Sequence, residues 1–197
     1  MRHGHVVILI PGLGDEIRAL DYLTAHFHKN TIDVVVHSIG WRDGTTNFQK
    51  KLNKLLLHID ELSKTKRVSV IGTSAGGSAA LNAFARRKKS VYKAINLSGI
   101  LRPSAETGWR SFEARATSSI QFAQSIQLFV SLEKSLTAVD RKKIMTVYPK
   151  FGDELVAPDT VTLAGATNIQ IPSIEHILSI VLALTVFSKP IVTFLHE

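Results

Sequence analysis

The chain has 197 residues, 45% hydrophobic and 20% charged, enough to bury one substantial core and to read as a single domain over 1–197. It contains no cysteine, which excludes disulfides, thiolate zinc sites and a cysteine nucleophile. The formal charge of +8 raises nucleic acid as a partner. However, the densest clusters, Lys64-Thr-Lys66-Arg67 and Arg86-Arg-Lys-Lys89, stand where helices end, and no aromatic residues are interleaved to stack on bases. Nucleic acid is therefore not expected, while electrostatic attraction of an anionic substrate stays open.

Taken in chain order, the first apolar run, His5–Ile10, suits a buried strand, and its five consecutive apolar residues are too few for a signal-peptide core. The expected location is the cytoplasm. Ile17, Leu20, Leu23 and Phe27 then recur at helical spacing, before a second strand-like run at 32–37. Phe48, Leu52, Leu55, Ile59 and Leu62 mark one face of a second helix, with Lys50, Lys51, Lys54, Asp60 and Glu61 on its other faces. Strands are expected at 67–71 and 93–97, separated by a helix of small residues after Gly77. The connection 102–143 is far longer than a plain crossover needs. Phe122, Ile126, Phe129, Leu132 and Leu136 fit a helix, which leaves 103–116 as a loop or small cap carrying Trp109 and Phe112. Strands are expected again at 144–148 and 161–165. The segment 177–187 is well under the ~20 apolar residues that span a bilayer and reads as a buried helix.

This alternation implies an α/β fold, with parallel strands joined by right-handed crossovers and helices on both faces of the sheet. Within it, Val68-Ser-Val-Ile-Gly-Thr-Ser-Ala-Gly-Gly-Ser78 runs from an apolar strand through G-x-S-x-G into a small-residue helix. That is the setting a nucleophile elbow requires. A serine at the apex of so sharp a turn has a strained backbone, and Gly72, Gly76 and Gly77 remove side chains that would strike the neighbouring strand and helix.

Four stretches in this order resemble the α/β-hydrolase superfamily over nearly the whole chain. Leu9-Ile-Pro-Gly-Leu-Gly-Asp15 is similar to the family's oxyanion loop, and the elbow carries Ser74. Tyr148-Pro-Lys-Phe-Gly-Asp-Glu-Leu-Val-Ala-Pro158 is similar to the loop bearing the acid, although Gly152 stands directly before Asp153. Ile174-Glu-His-Ile-Leu-Ser179 is similar to the histidine loop. The resemblance implies a six-stranded parallel sheet in the order 2-1-3-4-5-6 and a Ser74, Asp153, His176 triad. Backbone N–H groups of Leu13 and Ala75 would form the oxyanion hole, and no cofactor or metal is implied. The opening pair of antiparallel strands of larger members has no counterpart before residue 5.

The chemistry explains the convergence of these residue types. A serine hydroxyl is a weak nucleophile until a neutral imidazole takes its proton, and a carboxylate must fix the imidazole's tautomer. His37 is the rival base and Asp159 the rival acid. Trp41, Trp109 and Phe112 are candidates for the substrate pocket or for packing between loop and sheet. The expected function is a serine hydrolase acting on a small-molecule carboxylic ester or thioester through an acyl-enzyme. An amidase or aminopeptidase on the same triad and a non-catalytic binding module on this scaffold are the alternatives.

Overall fold

The computed structural model describes residues 4–15, 17–44, 46–103, 119–152 and 157–197. Its strands are β1 (His5–Ile10), β2 (Ile32–Val36), β3 (Arg67–Thr73), β4 (Val91–Leu97), β5 (Ile144–Pro149) and β6 (Thr167–Ile171). All pair in parallel, in the order β2-β1-β3-β4-β5-β6. This is the doubly wound arrangement expected from the alternation of strands and helices, with the winding reversing beside β1 and β3.

The period-two alternation of strand side chains divides the core into two layers. Ile8, Ile10, Val68, Val70 and Ala94 pack under α2 (Phe48–Leu62), α3 (Ala75–Arg86) and α4 (Ile120–Glu133). Val7, Leu9, Ile71, Ile95 and Val147 face the opposite layer, formed by α1 (Ile17–Thr24), α7 (His176–Leu184) and α8 (Lys189–His196). Two short helices, α5 (Ala138–Arg141) and α6 (Pro158–Val161), and a 3-10 turn at Ala25–Asn30 that buries Phe27 complete the described elements. Among the described residues, no single helix is long and apolar enough to cross a membrane.

Three expectations differ from the structure. The last strand is Thr167–Ile171 rather than 161–165, because Pro158 opens a short helix that ends at Val161 and Gly165 turns the chain at φ 77°. An edge strand needs only one covered face, so the true strand, Thr-Asn-Ile-Gln-Ile, lacks the continuous apolar run of an inner strand. The segment 177–187 is not wholly buried: α7 buries Ser179, Ala183 and Leu184 but exposes Ile177 and Leu178, since it lies on the sheet by a single stripe. Lys51, grouped with the polar faces of α2, is buried and donates to the carbonyls of Ile39 and Gly40 and to Asp43.

Candidate active site

Ser74 ends the strand-to-helix turn between β3 and α3 with φ 52° and ψ −124°, a conformation costing a non-glycine residue about 1–3 kcal/mol. The turn is forced by neighbours on both sides. A Cβ on Gly72 would overlap the backbone of Gly76, and one on Gly76 would overlap the Ile10 carbonyl of β1. The Ser74 N–H bonds to the Leu97 carbonyl at 2.9 Å, so the elbow is tied to β4 as well. Although Ser74 occupies the N-cap position of α3, its hydroxyl caps no backbone N–H. It lies instead 2.8 Å from Nε2 of His176.

His176 is the first residue of α7 and is 3% exposed. Glu175 fixes that start: its carboxylate accepts from the N–H groups of Ile177 and Leu178 at 3.0 and 2.6 Å, capping the helix whose first turn carries the imidazole. The histidine loop is tied to the loop after β5, where the N–H of Phe151 donates to the Ser173 carbonyl at 3.1 Å. Asp153, two residues further on, lies outside the described residues, as do Trp109 and Phe112. Asp159 is exposed on α6, and its backbone carbonyl accepts from Arg102 at 2.7 Å. Its carboxylate makes no hydrogen bond to His176 among the described residues.

The loop after β1 closes over the elbow: a Cβ on Gly12 would stand 2.9 Å from that of Ser74 and 3.4 Å from its hydroxyl. Leu13 is half-buried against the core, and Ala75 is buried at the first position of α3, where the helix dipole favours negative charge. Trp41 is fully buried, stacked on Phe48 and edge-on to Phe122, with its indole N–H donating to the Pro11 carbonyl at 3.0 Å. It is therefore a packing residue that holds the Pro11 loop, not part of a pocket rim. His37 is held elsewhere: its Nδ1 lies 3.1 Å from Nδ1 of His58 on α2.

Sequence reasoning missed the braces of this edge. Asp15 accepts from the Ser38 hydroxyl at 2.8 Å and from the Trp41 N–H at 3.3 Å, binding the loop after β1 to the loop after β2. Asn96 on β4 donates to the Gly99 carbonyl and accepts from the Gly99 N–H, holding the β4 exit against α3 at Gly77. Only the short-range Asn-x-x-Gly spacing hinted at the second. The first joins residues 23 and 26 positions apart and has no local signature.

No curated protein sequence matches the chain. Among solved structures, Est1E from Butyrivibrio proteoclasticus is similar at 15% identity and a TM-score of 0.67, over 100% of this chain and 90% of its own. A soluble variant of monoglyceride lipase from Saccharomyces cerevisiae is similar at 14% and 0.66, over 97% and 85%. The thioesterase domain from the curacin biosynthetic pathway is similar at 12% and 0.64, over 100% and 92%. At these identities the likeness is one of fold. The family model described as "Putative esterase" matches residues 6–156, well over half the chain, including the loop after β1 and the whole elbow. The chain thus belongs to the Esterase family and has the α/β-hydrolase fold.

Proposed function

We propose that this esterase-family chain is a serine hydrolase of carboxylic esters or thioesters, with Ser74 as nucleophile, His176 as base and Asp153 as the acid that orients the imidazole. One observation carries the reading: the strained Ser74 turns its hydroxyl away from helix capping and toward Nε2 of a buried histidine at 2.8 Å, across 102 residues of sequence. A turn serine with only a structural role has no reason to keep that strain.

In the proposed reaction Ser74 Oγ attacks the substrate carbonyl carbon as its proton passes to His176 Nε2. The oxyanion forms beside the N–H groups of Leu13 and Ala75, donors that contribute about 3–4 kcal/mol each in comparable sites. The C–O or C–S bond then breaks, and the leaving oxygen or sulfur takes the proton from Nε2. Water repeats the sequence on the acyl-enzyme and restores Ser74. The tie between Phe151 and Ser173 supports Asp153 as the acid, since it draws the loop after β5 toward the histidine loop.

The test is labelling by a fluorophosphonate, followed by peptide mapping. Labelling at Ser74 that is lost in Ser74→Ala is the expected result. Failure to label, together with absent turnover on a panel of activated esters and thioesters, would leave the chain a binding module on this fold.

A further inference from the structure

The edge of the sheet opposite Ser74 holds an open cavity of about 910 Å³, lined among others by His5, Arg67, Lys89, Tyr92, Lys143 and His196. These positions are distant in sequence but neighbours in a parallel sheet, because each crossover helix ends, and each following strand begins, at this edge. The basic clusters 64–67 and 86–89 therefore arrive side by side. Part of each is spent on ion pairs: Lys64 with Glu61, Lys66 with Asp33, Arg87 with Asp60 and Lys88 with Asp140. Arg67 and Lys89 are left facing the cavity with Lys143, and none of the three pairs with a carboxylate among the described residues.

Two further groups are packed beside these three cations without adding to their charge. The Arg67 guanidinium lies over the Tyr92 ring at 4.3 Å. Lys93, buried beside the same ring, has its ammonium 3.8 Å from Glu197, and burial and Lys143 hold its pKa below the usual lysine range. His5 is 7% exposed, with Nε2 2.8 Å from the Ser69 hydroxyl and a buried Nδ1 that has no hydrogen-bond partner among the described residues. Burial first, then the charges of Arg67 and His196, push its imidazole down to about 4. Several cations thus surround a concavity of small-molecule size.

We infer that the amino edge of the sheet is a second binding site, distinct from the Ser74 site, that takes a small anion through its phosphate group. A phosphate matches the ensemble better than a carboxylate does. It carries up to two charges and enough acceptor oxygens for the arginine fork and two ammonium groups together, and Tyr92 offers a wall for an attached organic body. The inference does not rest on the hydrolase reading.

Calorimetric titration of the full chain tests it, with glycerol 3-phosphate and inorganic pyrophosphate as probes and sulfate and acetate as controls at fixed ionic strength. Saturable binding of the phosphate probes at one per chain is expected, weakened about tenfold by Arg67→Ala or Lys143→Ala and unchanged by Lys50→Ala, an exposed position of α2. Binding by Ser74→Ala with wild-type affinity would separate this site from the hydrolase site. Tighter binding of glycerol 3-phosphate that Tyr92→Ala abolishes identifies an organic phosphate, and preference for pyrophosphate identifies an inorganic one. Shifts of the His5 and His196 imidazole signals on adding pyrophosphate, with His37 and His58 unmoved, give the same answer without any variant. The proposal is overturned if sulfate or acetate binds as well as the phosphates. It is also overturned if no probe saturates by about 10 mM, or if the Arg67→Ala, Lys143→Ala double variant keeps wild-type affinity.

Discussion

The two edges of the sheet are organised by opposite means. At the carboxyl edge the deciding features lie in the backbone: the positive φ of Ser74, the glycines that let β1, β3 and α3 touch, and the starts of α3 and α7. At the amino edge the deciding features are side-chain charges, Arg67, Lys89 and Lys143. One rule produces both. In a parallel sheet with crossover helices, the positive ends of helix dipoles gather at the carboxyl edge and the negative ends at the amino edge, where cations collect. An edge that offers backbone N–H groups suits a developing oxyanion, and an edge that offers ammonium and guanidinium groups suits an anion already formed.

The largest effect that would break this comparison is loss of the carboxyl edge's chemistry without loss of its fold. Ser74→Ala should lower ester turnover by about 10⁴-fold or more, measured on an activated ester. Ser74→Gly should do the same while raising unfolding stability by about 1 kcal/mol, because glycine accepts the backbone conformation that strains serine. A stable Ser74→Gly protein that still turns over would remove the serine from the mechanism. Next in size, Asp153→Asn should reduce turnover by up to ~10⁴-fold through the wrong imidazole tautomer, and Asp159→Asn should change it little, since the Asp159 carboxylate is exposed and makes no bond to His176. The reverse order would move the acid to α6.

Glycines sharpen the same contrast through stability. Gly76→Ala sets a Cβ against the immovable Ile10 carbonyl and should cost about 3 kcal/mol in urea unfolding. At the amino edge Gly4 has open space around it and only its φ of 85° to defend, so Gly4→Ala should cost about 1 kcal/mol. Equal losses would mean that close backbone approach is not what the elbow glycines provide.

How much of this was legible in the sequence follows from how local each feature is. The parallel sheet was readable because inner strands carry apolar runs and the helices between them keep a 3.6-residue period, while the strand order was implied by the resemblance to α/β-hydrolases. The elbow at Ser74 was readable because the strand, the glycines and the small-residue helix are contiguous, whereas the meeting of Ser74 with His176 was implied only by the likeness of 174–179 to the family's histidine loop. β6 was not, because an edge strand with one covered face shows polar residues such as Thr167, Asn168 and Gln170 that resemble a loop. The packing role of Trp41, which the sequence leaves open between pocket and packing, and the burial of Lys51 were hidden for a different reason. Their side chains are used by loops that meet only after folding, Trp41 at Pro11 and Lys51 at Ile39 and Gly40. The amino-edge cavity was hidden by the bland explanation of its charges. The helix-end reading of 64–67 and 86–89 holds for both clusters, yet only the fold shows that two such ends converge.

The last predicted effect sets one histidine at each edge against the other. His5 at the start of β1 and His37 just after β2 both have imidazoles pushed down to about 4 from the ordinary 6.5. The main cause in each is burial, followed by Arg67 and His196 for His5 and by His58 and Lys54 for His37. Both are neutral in the folded chain over a range where the unfolded chain binds a proton, so the stability they contribute is present above pH 6.5 and is lost progressively as pH falls toward 4. The lowered carboxylates Asp33, Asp60 and Asp140 act in a separate window, losing their contribution only below about 3.8. Full shifts would amount to about 3 kcal/mol per histidine, and water reaching these edge sites reduces that to about 1–2. Urea unfolding at pH 7.5, 6.0 and 5.0 should therefore show a decline that His5→Gln and His37→Gln each reduce and that the double variant abolishes. Pyrophosphate should separate the two edges. An anion beside His5 offsets the charges of Arg67 and His196 and favours its protonated form, so the His5 part of the decline should shrink while the His37 part stays. A decline that responds equally at both histidines would show that the anion acts on the chain at large and not at the amino edge.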